Sequence, residues 1–148
     1  MEILKMKHVV CPHCSSTNRV PADKFEAELT CGKCHEQLFN RHPAAVTESQ
    51  LASHIAKNEI PVVVDFWAPW CGPCRMMAPE YEKACGLIEP YARFLKVDTE
   101  ANPNVGVRHN IRSIPTLAIF IGGKEITRIS GARSASDLAQ WVRAHIVK

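Results

Sequence analysis

Seven cysteines stand out in this 148-residue chain, at positions 11, 14, 31, 34, 71, 74 and 85. Six form three C-x-x-C pairs and one is left over. Cys11-Pro12-His13-Cys14 and Cys31-Gly32-Lys33-Cys34 are separated by sixteen residues, the spacing of a four-cysteine zinc site. The two-residue gap lets both thiolates of a pair reach one tetrahedral ion, and proline and glycine suit the tight turn between them. Four thiolates close the coordination shell, so such a site is structural rather than hydrolytic. Two unligated dithiols or an iron centre are the competing readings, since four thiolates also suit iron. With the shell filled by sulfur, His13 and His35 read as solvated residues of the turns.

The third pair lies in a different context. Trp67-Ala68-Pro69-Trp70-Cys71-Gly72-Pro73-Cys74 follows an apolar, β-branched run and opens a helical pattern. A cysteine at a helix N-terminus faces unpaired backbone N–H groups and the positive end of the helix dipole, which stabilise its thiolate. Cys71 is therefore the expected nucleophile. Cys74, in the first turn and more shielded, is placed to resolve a mixed disulfide by intramolecular attack. A zinc knuckle that lacks its partner pair is the alternative for Cys71 and Cys74, but strand, C-x-x-C and helix in succession form a redox arrangement.

The elements that position these groups are legible in outline. Residues 1–40 hold four of the cysteines and no long apolar period, and a segment of this length seldom folds without a metal or crosslink. We expect a zinc-ribbon module over 1–40, a linker over 41–45 and an α/β domain over 46–148. In that domain Thr47-Glu48-Ser49-Gln50 is a capping box opening a helix to about Asn58. Ile60–Trp67 reads as a strand buried on both faces. A helix over Cys71–Ile88 contains Pro79, a potential kink. A strand over Arg93–Val97 and a short helix or turn over Asn102–His109 follow. Thr116–Ile121 and Glu125–Ser130 flank Gly122-Gly123 as a hairpin, and Ser134 caps a last helix with Leu138, Trp141, Val142 and Ile146 on its apolar face. This order predicts a mixed sheet with helices on both faces.

Composition narrows the function classes. The net charge of +3 is small. Residues 1–40 carry five Lys/Arg against five Asp/Glu, so the module lacks the positive excess that drives nucleic-acid binding. No apolar run is long enough for a membrane span or a signal h-region. The expectation is a cytoplasmic chain with no membrane and no nucleic-acid partner, where paired cysteines mean metal or redox chemistry rather than structural disulfides.

With both cysteine signatures in view, the chain resembles the thioredoxin family over about residues 46–148. VVVDFWAP followed by WCGPC carries the match, together with Ile114-Pro115-Thr116, Asp65, Lys96 and Gly131. With its N-terminal ribbon it is similar to the zinc-ribbon-bearing bacterial branch, the thioredoxin 2 type. The resemblance implies a thioredoxin fold, with a five-stranded sheet and four helices, and reduction of protein disulfides through a Cys71–Cys74 bridge. It also implies recycling by an NADPH-dependent thioredoxin reductase, one structural zinc and no bound organic cofactor. Asp65 becomes the buried acid that accepts a proton from Cys74, with Lys96 beside it opposing the rise that burial gives its pKa; an acid bonded to Lys96 for structure alone is the rival for that position. Pro115 becomes a cis proline, and Trp70, Gly72, Pro73, Ile114, Pro115, Gly131 and Ala132 a shallow substrate patch around Cys71. Cys85 reads as an inert, partly buried thiol, and Arg75 as a tuning charge or a solvated one. A rival from another class is a zinc-based redox sensor or holdase that uses the larger domain as a scaffold.

Overall fold

The computed structural model describes residues 6–25 and 27–146. Of the expected ribbon, residues 1–5 and 26 lie outside the described residues. Two antiparallel strands, β1 (Met6–Val10) and β2 (Thr17–Pro21), form a hairpin in which Met6 pairs with Pro21 and Val10 with Thr17. The Cys11–Cys14 knuckle is its turn. After each knuckle one residue takes a positive φ, Ser15 at 65° and His35 at 66°. Each folds its N–H back onto the carbonyl of the first cysteine, at 3.0 and 2.9 Å. Both turns thus have the same shape, and His13 and His35 are exposed.

The larger unit is a five-stranded mixed sheet in the order β3-β5-β4-β6-β7. Its strands are β3 (Ala44–Ala45), β4 (Val62–Trp67), β5 (Arg93–Asp98), β6 (Thr116–Ile121) and β7 (Lys124–Ser130). The first three are mutually parallel, and β6 runs antiparallel to both β4 and β7. The helices are α1 (Glu48–Lys57), α2 (Gly72–Ile88), α3 (Pro103–Arg108) and α4 (Ala135–Ile146). The Thr47 capping box forms, with reciprocal Thr47 and Gln50 contacts. Pro79 sits inside α2 without dividing it.

Side chains alternate across a strand, and this alternation sorts the core. Val63, Phe94, Leu117 and Ile119 pack with Met77, Tyr81 and Cys85 of α2 and with Leu138 and Val142 of α4. Val62, Val64, Phe66, Leu95 and Val97 pack on the opposite face with Leu51 and Val105. Asp65 and Lys96 share the parity of Val63 and Phe94, so both belong to the face that α2 covers, and they are direct register partners.

The linker expected over residues 41–45 is tied down by tertiary contacts. The Arg41 N–H donates to Glu89 Oε1 at 3.1 Å, His42 Nδ1 lies 2.7 Å from Glu82 Oε1, and Ala44–Ala45 pair with Leu95 and Lys96. The open edge of β5 supplies partners that a local reading of the sequence does not contain. Cys85 is fully buried rather than partly so; burial and then Glu89 push its thiol pKa up, which keeps it protonated and inert.

The ribbon docks on the larger unit. Val10 N–H donates to Asn58 Oδ1 at 2.8 Å, Glu59 N–H to the His8 carbonyl at 2.9 Å and His8 N–H to Glu59 Oε1 at 2.6 Å. Ile60 completes the apolar cluster of Val9, Val20, Phe25 and Leu38. These contacts lie at the end where β4 begins.

Tyr81 joins α2 to the sheet beside Asp65. Its hydroxyl donates to the Leu95 carbonyl at 2.7 Å, with the Val63 carbonyl 3.2 Å away. Tyr81→Phe should lower unfolding free energy by about 1–2 kcal/mol, read by urea denaturation; an unchanged midpoint would show that this bond contributes nothing net.

Candidate functional site

β4 delivers its C-terminal end to the start of α2, and the turn between them is the C-x-x-C. Cys71 is the N-cap of α2, with Pro73 inside the first turn. Its Sγ accepts the Cys74 backbone N–H at 3.2 Å, the position a serine or aspartate oxygen takes in an ordinary cap. Cys71 and Cys74 are joined as a disulfide, with Cα atoms 5.2 Å apart. Ala68 backs the pair, and Trp67 and Ile114 pack against it.

The two sulfurs face different spaces. Cys71 opens on an outer groove of about 460 Å³ with Trp70, Gly72, Pro73 and Ile114. Cys74 lines an inner cavity of about 180 Å³ with Asp65, Trp67, Tyr81, Glu82, Lys96 and Pro43. The expected contrast in exposure is not seen at the residue level, since Cys71 is 4% and Cys74 3% exposed. The packing of Trp67 and Ile114 covers Cys71 except where it meets the groove, so the difference is one of direction.

The groove unites four of the seven expected patch residues. Pro115, Gly131 and Ala132 do not line it. Ile114–Pro115 is cis, and the Pro115 carbonyl accepts from Gly131 N–H at 2.9 Å, which links the β7 end to that loop. Gly131 has φ +93°, a conformation glycine takes without penalty. The sequence reading missed Thr99, Gly106, Ile111, Arg112 and Ser113 on the groove wall. Arg112 and Ser113 directly precede Ile114-Pro115, a signal within the sequence; Thr99 comes from the turn after β5 and Gly106 from α3, both distant in the chain. Trp70 is 67% exposed and forms an apolar rim. Arg75 folds back to the Pro69 carbonyl at 2.8 Å, bracing the turn.

Asp65 is 3% exposed, and its Oδ1 has no hydrogen-bond partner. Burial raises its pKa to about 7, with Lys96 opposing the rise. No ion pair joins the two among the described residues; Lys96 Nζ lies over the Trp67 ring, 5.1 Å from its centroid. A salt-bridged structural acid is therefore not what this geometry shows. Tyr81, missed as a wall of the cavity, lies seven residues after Cys74, two turns on along the same face of α2.

At the ribbon, Cys11, Cys14, Cys31 and Cys34 place their sulfurs within 4.8 Å of one another. The Cys11–Cys34 and Cys14–Cys31 pairs are 3.6 Å apart. Tetrahedral bonds of about 2.3 Å require sulfurs about 3.8 Å apart, so the four fit a single ion. His13 and Lys33 N–H groups point at Cys11 and Cys31 Sγ, both at 3.4 Å, and Asn18 Nδ2 lies 3.5 Å from Cys31 Sγ. These donors favour thiolate, the form a metal binds.

The sequence profile described as thioredoxin matches residues 42–144. The chain belongs to the thioredoxin family. A second profile, the N-terminal zinc ribbon described for thioredoxin 2, matches residues 10–36 of this thioredoxin. Thioredoxin C-3 of Corynebacterium nephridii is 42% identical over 134 residues, 90% of this chain and 92% of that one, a span too long to be confined to residues 42–144. Thioredoxin 1 of Nostoc sp. is 43% identical over 103 residues, 70% of this chain and 96% of its own. Among solved structures, Plasmodium falciparum thioredoxin aligns with a TM-score of 0.62 at 35% identity, covering 68% of this chain and 97% of that one. A mutant thioredoxin from Halobacterium salinarum gives 0.66 at 25% identity, covering 74% and 96%.

Asp65 binds a proton more tightly in the folded state than unfolded, where its pKa is about 3.9. Stability therefore falls as pH rises from about 4 through about 7, and the deficit persists above. In the disulfide form, Asp65→Ala should gain on wild type by up to about 4 kcal/mol between about pH 4 and pH 8.5, measured by urea unfolding at both. A difference independent of pH would show that Asp65 titrates normally.

Proposed function

We propose that this thioredoxin is a cytoplasmic protein-disulfide reductase carrying one structural zinc. The observation that carries the catalytic reading is the division of the dithiol between two spaces. Cys71 faces an open apolar groove as the cap of α2, and Cys74 faces a smaller, more enclosed cavity lined by an acid with an elevated pKa.

The chemistry follows from that division. Cap donors and the helix dipole hold Cys71 as thiolate. It attacks one sulfur of a substrate disulfide in the groove; a Cys71–substrate bond forms and the other substrate sulfur leaves as thiolate. Cys74 then gives its proton to the Asp65 carboxylate and attacks Cys71 Sγ. The Cys71–Cys74 bond forms, the mixed disulfide breaks, and the second substrate sulfur leaves. The substrate gains two electrons and the dithiol loses two. Lys96 keeps part of the Asp65 population ionised and ready to accept. The inner cavity has room for several waters at about 30 Å³ each, which gives that proton a route away. An NADPH-dependent thioredoxin reductase restores the dithiol.

Trp70, Gly72, Pro73 and Ile114 offer flat apolar contact, which suits varied flexible protein substrates. Gly131 and Ala132 are exposed beside the loop that holds the buried Pro115, and in this reading the three residues form the backbone side of the patch, where an extended peptide can pair. Recognition then rests on backbone and sulfur geometry more than on deep side-chain pockets. No organic cofactor is needed for exchange between sulfurs. Among the described residues no helix is long and apolar enough to cross a membrane, and the paired thiols suit a reducing compartment.

Zinc is the metal we assign to Cys11, Cys14, Cys31 and Cys34. The sulfurs fit a closed tetrahedral shell, which zinc fills without redox change, and the ribbon profile supports the assignment. Its role is to hold together a module whose apolar core is small.

Two measurements test these readings. Cys71→Ser should abolish insulin-disulfide reduction, while Cys74→Ser accumulates a mixed disulfide, and the wild-type couple should lie at about −270 mV, far from the roughly −120 mV of a strong oxidant. Activity in Cys71→Ser equal to wild type would remove the enzymatic reading. Elemental analysis with thiol titration should find one zinc per chain and two thiols gained on reduction; metal-free protein with four further titratable thiols would remove the zinc assignment.

A further inference from the structure

Arg93 is the single cation among the buried described residues, and its surroundings come from both modules. On the catalytic side Glu89 Oε2 lies 3.5 Å from Nη1, with both side chains no more than 2% exposed. From the ribbon, the Val10 carbonyl accepts from Nη2 at 3.2 Å, and the guanidinium carbon lies 4.3 Å from the Phe39 ring centroid. Its Nε has no hydrogen-bond partner. Val10 immediately precedes Cys11, whose side chain is fully buried.

Burying an arginine is costly unless its charge is used. Glu89 answers only part of that requirement. It also accepts the Arg41 and Phe94 N–H groups, and burial raises its own pKa against the pull of Arg93. A second anion explains the arrangement better. Four thiolates around a divalent ion keep a net negative charge. Half of this cluster is deep, since Cys11 and Cys31 are fully buried. The ribbon's own described cations, Lys7, Arg19, Lys24 and Lys33, are all exposed, where solvent and salt screen them. The Val10 carbonyl that Arg93 Nη2 reaches at 3.2 Å belongs to the residue next to Cys11, so the guanidinium sits beside the buried side of the cluster.

We propose that Arg93, a residue of the catalytic domain, is the outer-shell counter-charge of the ribbon's four-thiolate metal centre. The metal site is then shared between the modules: the ribbon supplies the ligands, and the start of β5 supplies the buried cation that makes their combined charge tolerable. This rests on the zinc reading above, so the metal content of the wild type is measured first.

The test uses full-length, zinc-loaded protein and follows zinc transfer to an excess of chromogenic chelator. Circular dichroism and insulin reduction verify that the catalytic domain is folded. Arg93→Met should release zinc about 10–100-fold faster than wild type, the range by which metal affinity falls on loss of an outer-shell partner, expressed here in the off-rate. Arg93→Lys, which keeps the charge, should stay near wild type. Asn58→Ala should also stay near wild type, although it removes the anchor on the Val10 N–H. Release from Arg93→Met within twofold of wild type overturns the proposal. So does equal acceleration by Asn58→Ala, which would mean that docking rather than charge matters. Glu89→Gln gives the opposite sign and carries the test where Arg93→Met does not fold: without its competing anion Arg93 serves the thiolates better, so release should slow or hold, and faster release counts against the idea. Wild type that binds no zinc defeats the zinc reading itself, whatever the variants do.

Discussion

One sulfur does the work of a helix cap. A helix begins with backbone N–H groups that have no partner, and here the Cys71 side chain receives one of them from Cys74. The interaction is local, but much of the catalytic domain holds it in place. β4 must end at Trp67 so that the turn emerges beside the groove; Pro73 must start α2 without needing a donor; Ala68 must be small enough to sit beneath the pair. A helix that started one residue later would move Cys71 out of the cap, and its thiolate would lose the donors that stabilise it.

Sheet parity then separates the two halves of the chemistry. Because alternate residues of β4 face opposite sides, Asp65 lies under α2 while its neighbours Val64 and Phe66 face α1 and α3. The same rule applied to β5 sends Lys96 to join it. The acid thus reaches Cys74 from inside the protein, away from the substrate groove. The ribbon uses the other end of the same strands, touching Asn58 to Ile60 and Arg93, where β4 and β5 begin. Ligand geometry at one end and sulfur exchange at the other are therefore spatially apart on one rigid sheet.

What could be read beforehand was whatever is encoded locally. The Thr47–Gln50 capping box, the hairpin of β6 and β7 around Gly122-Gly123 and the cysteine pairs each depend on residues close together in the chain, and all formed. What escaped depends on contacts between distant segments. Two alanines give no strand signal, yet Ala44–Ala45 become β3 because β5 has an open edge. The ribbon strands are five residues each with mixed exposure, too short and irregular for a periodic pattern. Glu89 and Arg93 are four apart, but α2 ends at Ile88 with Glu89 as its C-cap, so no helical rule links them; only the fold buries them together. Thr99, in the turn after β5, and Gly106, in α3, reach the groove through the packing of distant segments, which no local pattern specifies.

The ribbon's placement bears on how such a chain is assembled over evolution. An appendage seated against the beginnings of β4 and β5 leaves the exchange machinery untouched, so it is separable in principle from the catalytic domain. The separation would nonetheless leave a scar. Stripped of its cover, Ile60 becomes a greasy spot facing water and Arg93 loses two of its companions. A ribbonless descendant would be under pressure to replace those two side chains before any other.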